Sequence, residues 1–239
     1  MRRRLALGVL SALALLSVGV RAGGPNVKGK ITGQDKLVLD VYAESAKPES
    51  RRWAWREPSP SVAAQFRTLS GSPSRDLCIA ATRSENSGPQ EPIRMTVTGG
   101  RVFPTTIAVT PGTPLAFKNF DPFKHRLYIV GQATMKAEDL QPNAARTWSA
   151  PGPGKYEVRD ELFPSIRTFI VVDPQVVQIA YPSRDGAFSF ALPQGEYVLK
   201  AYFGGKQVGK PLPFNAKDRS TLELKDPFNV GVAEGADSK

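Results

Sequence analysis

The chain of 239 residues carries 32 lysines and arginines against 22 carboxylates, with one cysteine and one histidine. A single thiol excludes an internal disulfide framework, and a single imidazole with no Gly-x-Ser-x-Gly elbow removes the usual support for a Cys-His pair or a serine triad. The basic residues are scattered and match no nucleic-acid recognition motif, so nucleic acid is not indicated as a partner.

Residues 1–22 have a basic start at Arg2, Arg3 and Arg4, an apolar run from Leu5 to Val20, and small residues before a break at Ala22. This is the pattern of a secretory signal peptide, with cleavage expected after Ala22. The run is short for a membrane span and is interrupted by Gly8, Ser11 and Ser17, so no transmembrane span is expected after processing. Loss of four arginines with the leader brings the formal charge from +10 to +6.

The next stretch, VKGKITGQDKLVLDVYAE, reads as two strands around a Gly-Gln-Asp turn, with Leu37, Leu39 and Val41 on one face. A polar stretch over 45–74 follows, with a short helix expected at 59–69. It holds Arg52, Trp53, Trp55 and Arg56, an interleaving of cations and indoles that suits an anionic polymer or a sugar and equally suits a strand with one solvated face. Asp76 to Thr82 and Ile93 to Val97 read as strands, the first carrying Cys78 in the apolar run LCIA, where a buried and inert thiol is expected.

Between Arg101 and Val172 the apolar pairs Ile107/Val109, Leu115/Phe117, Leu127/Ile129 and Tyr156/Val158 keep a period of two, which places each pair on one face of a strand. Pro111-Gly112, Asp121-Pro122 and Pro151-Gly152-Pro153-Gly154 break the strands. Short alternating strands so punctuated predict a β-sandwich.

Particular residues in this block carry a resemblance. Phe103-Pro104, the Pro-Gly turn, Phe117, Asn119, and Asp121 followed four residues later by His125, then Gly154, Tyr156, Pro164 and the strand Phe169 to Val172, resemble the cupredoxin (plastocyanin-like, methylamine-utilisation-type) family. The resemblance implies that His125 occupies the position of a copper ligand. It also implies that Asp160, Phe163 and Ile166 stand where the family has its cysteine, second histidine and methionine. Blue-copper chemistry needs a thiolate and two imidazoles with a weak axial sulfur, so copper is disfavoured and these four positions are expected to be vestigial. An altered metal or redox site built from His125, Asp160 and Met135 is the alternative.

A second passage, SRDGAFSFALPQGEYVLKAYF, turns at Asp185-Gly186 into a strand bearing Phe188 and Phe190. It turns again at Pro193 to Gly195 into one bearing Tyr197, Leu199 and Ala201. It resembles the second half of the carboxypeptidase regulatory-like family, small transthyretin-like sandwiches whose first half usually opens with a strand like Lys28 to Thr32.

The expected organisation is therefore all-β. A cupredoxin-like Greek-key sandwich over 93–173 is inserted in, or flanked by, a small transthyretin-like or Ig-like sandwich made from 23–92 and 174–226, with 227–239 a disordered tail. The functional expectation is a non-enzymatic exported protein of the bacterial envelope, in the periplasm or associated with the surface or outer membrane. It would bind another envelope protein or an extracellular polymer; a carbohydrate-binding module using Trp53 and Trp55 is the further alternative.

Overall fold

A computed structural model describes residues 26–37, 73–163, 165–217 and 220–231. The leader expected at 1–22, Leu39, Val41, the helix expected at 59–69, Arg52, Trp53, Trp55, Arg56, Pro164 and residues 232–239 lie outside the described residues.

Sixteen strands are described. Eight of them build one sandwich: β3 (Ile93–Thr98), β4 (Arg101–Phe103), β5 (Thr106–Val109), β6 (Pro114–Asn119), β7 (Leu127–Ile129), β8 (Ala145–Ser149), β9 (Gly154–Asp160) and β10 (Arg167–Val172). One sheet has the order β4-β3-β6-β8 and the other β5-β10-β9-β7. The pairs β3/β6 and β5/β10 are parallel and the others antiparallel, so the chain crosses between sheets in Greek-key fashion, as expected for a cupredoxin-like fold. Ile107, Val109, Leu115, Phe117, Leu127, Ile129, Val158 and Ile170 meet in one core, joined by Met95, Val97 and Trp148. The period-two residues of each strand thus supply the buried face, and Tyr156 packs half-buried against the same core.

The remaining strands build a second sandwich from both sides of the first in sequence. They are β1 (Val27–Thr32), β2 (Leu77–Thr82), β11 (Val176–Ala180), β12 (Ala187–Phe190), β13 (Gly195–Phe203), β14 (Lys206–Ala216), β15 (Leu222–Glu223) and β16 (Phe228–Asn229). One sheet runs β11-β2-β13-β14; in the other β1 lies between β12 and β15 and also pairs with β16. Val27 faces Phe190 across the antiparallel β1/β12 pair. Gly29 is required there by close approach, because a Cβ would lie 2.5 Å from the ring of Phe188.

Every residue of β2 is buried, because its two faces serve two cores. Leu77, Ile79 and Ala81 face the second sandwich's interior, while Cys78 and Ala80 pack with Ala108, Val171, Val176 and Tyr202 where the two sandwiches meet. Tyr181 Oη donates to the Thr106 carbonyl at 2.9 Å across this boundary, and Gly204 N–H donates to Thr106 Oγ1 at 3.1 Å. Lys200 Nζ reaches Asp173 Oδ2 at 2.9 Å.

One expectation is corrected. Residues from 227 onward were expected to be a disordered tail, yet Phe228 and Asn229 pair in parallel with Ile31 and Thr32. Phe228 is 3% and Val230 0% exposed; two apolar side chains spaced by two fill one end of the second core, and their burial holds the strand.

Candidate functional site

The loop after β6 and the end of β9 bring Asp121, His125 and Asp160 together at one end of the first sandwich. Asn119, the last residue of β6, sets the first loop. Its Nδ2 donates to the carbonyls of Phe123 and Leu140 at 2.9 and 3.0 Å, and its Oδ1 accepts the Asp121 N–H at 2.8 Å. His125 and Leu140 exchange both backbone bonds at 3.0 and 2.8 Å. The imidazole is therefore fixed from its own backbone outward.

His125 is fully buried, and both its nitrogens face carboxylates: Nδ1 lies 2.9 Å from Asp160 Oδ2 and Nε2 lies 3.0 Å from Asp121 Oδ2. Two ionised carboxylate acceptors are both met by N–H donors only when the imidazole is protonated. Burial by itself lowers the proton affinity of His125, but the hydrogen bonds and charges of Asp160 and Asp121 outweigh it and the pKa is raised. For Asp121, burial favours the neutral acid. The N–H groups of Gly100 and Gly99 and the imidazole together overcome that and lower its pKa.

The remaining oxygens are also committed. Asp121 Oδ1 accepts Gly99 N–H at 2.6 Å and its Oδ2 accepts Gly100 N–H at 3.1 Å; both glycines have positive φ, of 60° and 64°, which turns successive N–H groups toward the carboxylate. Asp160 Oδ1 accepts the N–H groups of Leu162 and Phe163 at 2.6 and 2.9 Å, and its Oδ2 also accepts Arg126 N–H at 3.0 Å. Phe163 covers the pair: its ring stacks on Phe123 at 4.6 Å and tilts against His125 at 4.9 Å. Ile166 is 0% exposed in the core, and its N–H bonds back to the Phe163 carbonyl at 2.9 Å.

This arrangement does not fit blue copper. Both oxygens of Asp160 are occupied, Phe163 offers only a phenyl ring, and the one imidazole has no free nitrogen. Among the described residues no set of three or more ligating side chains is arranged to hold a metal ion. Met135 is 1% exposed in the first core, and its carbonyl accepts the Ile129 N–H. Cys78 is wholly buried between the sandwiches, and burial pushes its thiol up to about 12.

Asp121 is the partner that the sequence reading left as part of the frame. Its i, i+4 separation from His125 was visible, but only a loop folding back on itself makes that spacing a contact. No helix among the described residues is long and apolar enough to cross a membrane.

No protein-family model and no curated protein matches the chain. Among solved structures it is similar to a reduced amicyanin mutant, with 17% identity, 39% of this chain and 99% of that chain covered, and a TM-score of 0.32. It is also similar to amicyanin from Paracoccus versutus (Thiobacillus versutus), with 12% identity, coverage of 40% and 97%, and a TM-score of 0.32. A purple cupredoxin from Nitrosopumilus maritimus is similar at 13% identity, with coverage of 34% and 99% and a TM-score of 0.32.

Proposed function

We propose that the protein is a non-enzymatic, exported binding or structural protein of the bacterial envelope. Its cupredoxin-like sandwich holds an Asp121–His125–Asp160 ion triad in place of copper, and its second sandwich is a transthyretin-like accessory domain. The observation that carries this reading is that both nitrogens of the only histidine are bonded to carboxylates. A buried imidazolium between two anions fills the role a metal cation fills in tying ligand loops together, without any redox chemistry. The leader at 1–22 supports export.

The test is titration of the purified mature protein with copper against a competing chelator, with the visible spectrum recorded and His125→Ala run in parallel. The expected result is no stoichiometric binding and no intense visible band. Tight one-to-one binding abolished by His125→Ala would overturn the reading in favour of a metal protein.

A further inference from the structure

The solvent face of the β4-β3-β6-β8 sheet is a basic, aromatic-edged surface. Met95, Val97, Val102, Leu115 and Phe117 point inward, so their alternates Arg94, Thr96, Thr98, Arg101, Phe103, Ala116 and Lys118 line the outward face. Arg94 and Arg101 are exposed and Lys118 half-buried.

Register places these groups. Arg94 sits opposite Ala116, which sits opposite Thr147. One step along, Phe103, Thr96, Lys118 and Ala145 form the next row, and Arg101 opposite Thr98 forms a third. Phe120, 47% exposed, follows Lys118 by two residues, and the Lys118 ammonium lies 6.0 Å from its ring centroid. At the other margin the Arg75 guanidinium lies 5.5 Å over the Phe103 ring.

The four strands, IRMTVT, RVF, PLAFKN and ARTWS, contain no Asp or Glu. The nearest carboxylates in sequence, Glu91 and Asp121, belong to the flanking loops, and Asp121 is committed to Gly99, Gly100 and His125. Other arginines of this sandwich are paired with carboxylates: Arg126 with Asp139 and Glu161, Arg159 and Arg167 with Glu157, and Arg146, on the inward-facing parity of β8, with Glu138. Arg94 and Arg101 have no carboxylate partner among the described residues. They are separated by about 13 Å along the strand direction, with the row of Phe103, Thr96 and Lys118 between them. A compact anion cannot span that distance.

We propose that this face binds an acidic polysaccharide. Guanidinium forks pair bidentately with carboxylates, the exposed Phe120 ring offers an apolar surface to a sugar ring, and the threonine hydroxyls bond to sugar hydroxyls. The open, unpaired charge complements a polyanion and repels other basic surfaces. This deepens the binding-protein reading above and rests on it.

The test uses the full mature chain and a fluorescent oligogalacturonate, with neutral dextran, oligodeoxythymidylate and phosphatidylglycerol vesicles as the other arms. Oligogalacturonate is expected to bind with an affinity that falls as salt rises, and dextran not to bind. Arg94→Ala combined with Arg101→Ala should weaken binding at least about tenfold, whereas Lys155→Ala combined with Lys206→Ala, an equal loss of exposed charge on other strands, should not. Circular dichroism and unfolding midpoints establish that both pairs fold. Absence of oligogalacturonate binding, equal loss in the two variant pairs, or tighter binding of the oligonucleotide or vesicles through the same arginines would each overturn the proposal. The copper titration is read separately, so failure here is distinguishable from failure of the copper-free reading.

Discussion

Oδ2 of Asp160 lies 2.9 Å from Nδ1 of His125 and 3.0 Å from the backbone nitrogen of Arg126, so one oxygen joins the end of β9 to the loop after β6. Its other oxygen caps the turn that follows, through Leu162 and Phe163. All four neighbours are donors.

That count decides how Asp160 can be replaced. An asparagine supplies one acceptor oxygen and turns its NH2 toward two of the four donors. Asp160→Asn should therefore be nearly as destabilising as Asp160→Ala, at about 3–5 kcal/mol for breaking a buried ion pair on one side. Urea unfolding measures it; a cost below about 1 kcal/mol for Asn would show that the triad is not held as described.

The pH dependence of stability has two limbs. The folded-state pKa of His125 is raised, so its contribution is complete below about pH 6.5 and is lost as pH rises through the elevated value. The pKa of Asp121 is lowered, so its contribution is complete above about pH 3.9 and is lost as pH falls through the depressed value. Calorimetry should find the melting temperature highest between these limits. Replacing the imidazolium in His125→Gln should flatten the alkaline limb, and an unchanged limb would mean that another group causes it.

Much of this site was legible in the residues and some was not. The alternation of Leu115, Phe117, Leu127 and Ile129 located strands because burial on one face leaves a period of two, and the fold class follows from it. Asp160 and Phe163 could be placed from the flanking Tyr156 and final strand. Asp121 could not be recognised as a second partner, because sequence spacing in a loop does not report where a side chain returns. The cations of β3, β4 and β6 were missed for a related reason: single arginines on separate strands become one surface only when the register is known. Phe228 and Val230 were read as tail because an alternation this short, next to Gly and a polar end, is too brief to identify a strand.

The two sandwiches share a local device that gives a paired prediction. Tyr156 Oη donates to the Gly152 carbonyl at 2.9 Å and Tyr197 Oη to the Pro193 carbonyl at 3.0 Å, each four residues upstream. Each ring packs 3.6 Å from where a Cβ on Gly154 or Gly195 would lie. Tyr156→Phe and Tyr197→Phe should each cost about 1 kcal/mol, and more at Tyr197, whose hydroxyl also accepts from Arg83 at 2.5 Å. The rings lie in different cores, so the double variant should show additive losses in denaturant melts.

Cys78 reports on the seam between the sandwiches. With no exposure and a thiol pushed up to about 12, it should resist a thiol reagent in native buffer and react at a rate set by opening of the seam. Tyr181→Phe removes the hydroxyl that reaches the Thr106 carbonyl and should accelerate labelling. Rapid labelling of the unaltered protein would show that the sandwiches separate readily.

The interleaving of the second sandwich also dictates an order of assembly during synthesis. The strands β3 to β10 are contiguous and can close as soon as they emerge, whereas β1 and β2 must wait for β12 and β13. Through that interval β2 displays apolar side chains on both faces, a segment open to mispairing and to capture by chaperones. A chain that stops before β13 therefore keeps a finished first sandwich beside a sticky, unpartnered strand, so late truncations should surface as aggregation rather than as loss of the first core.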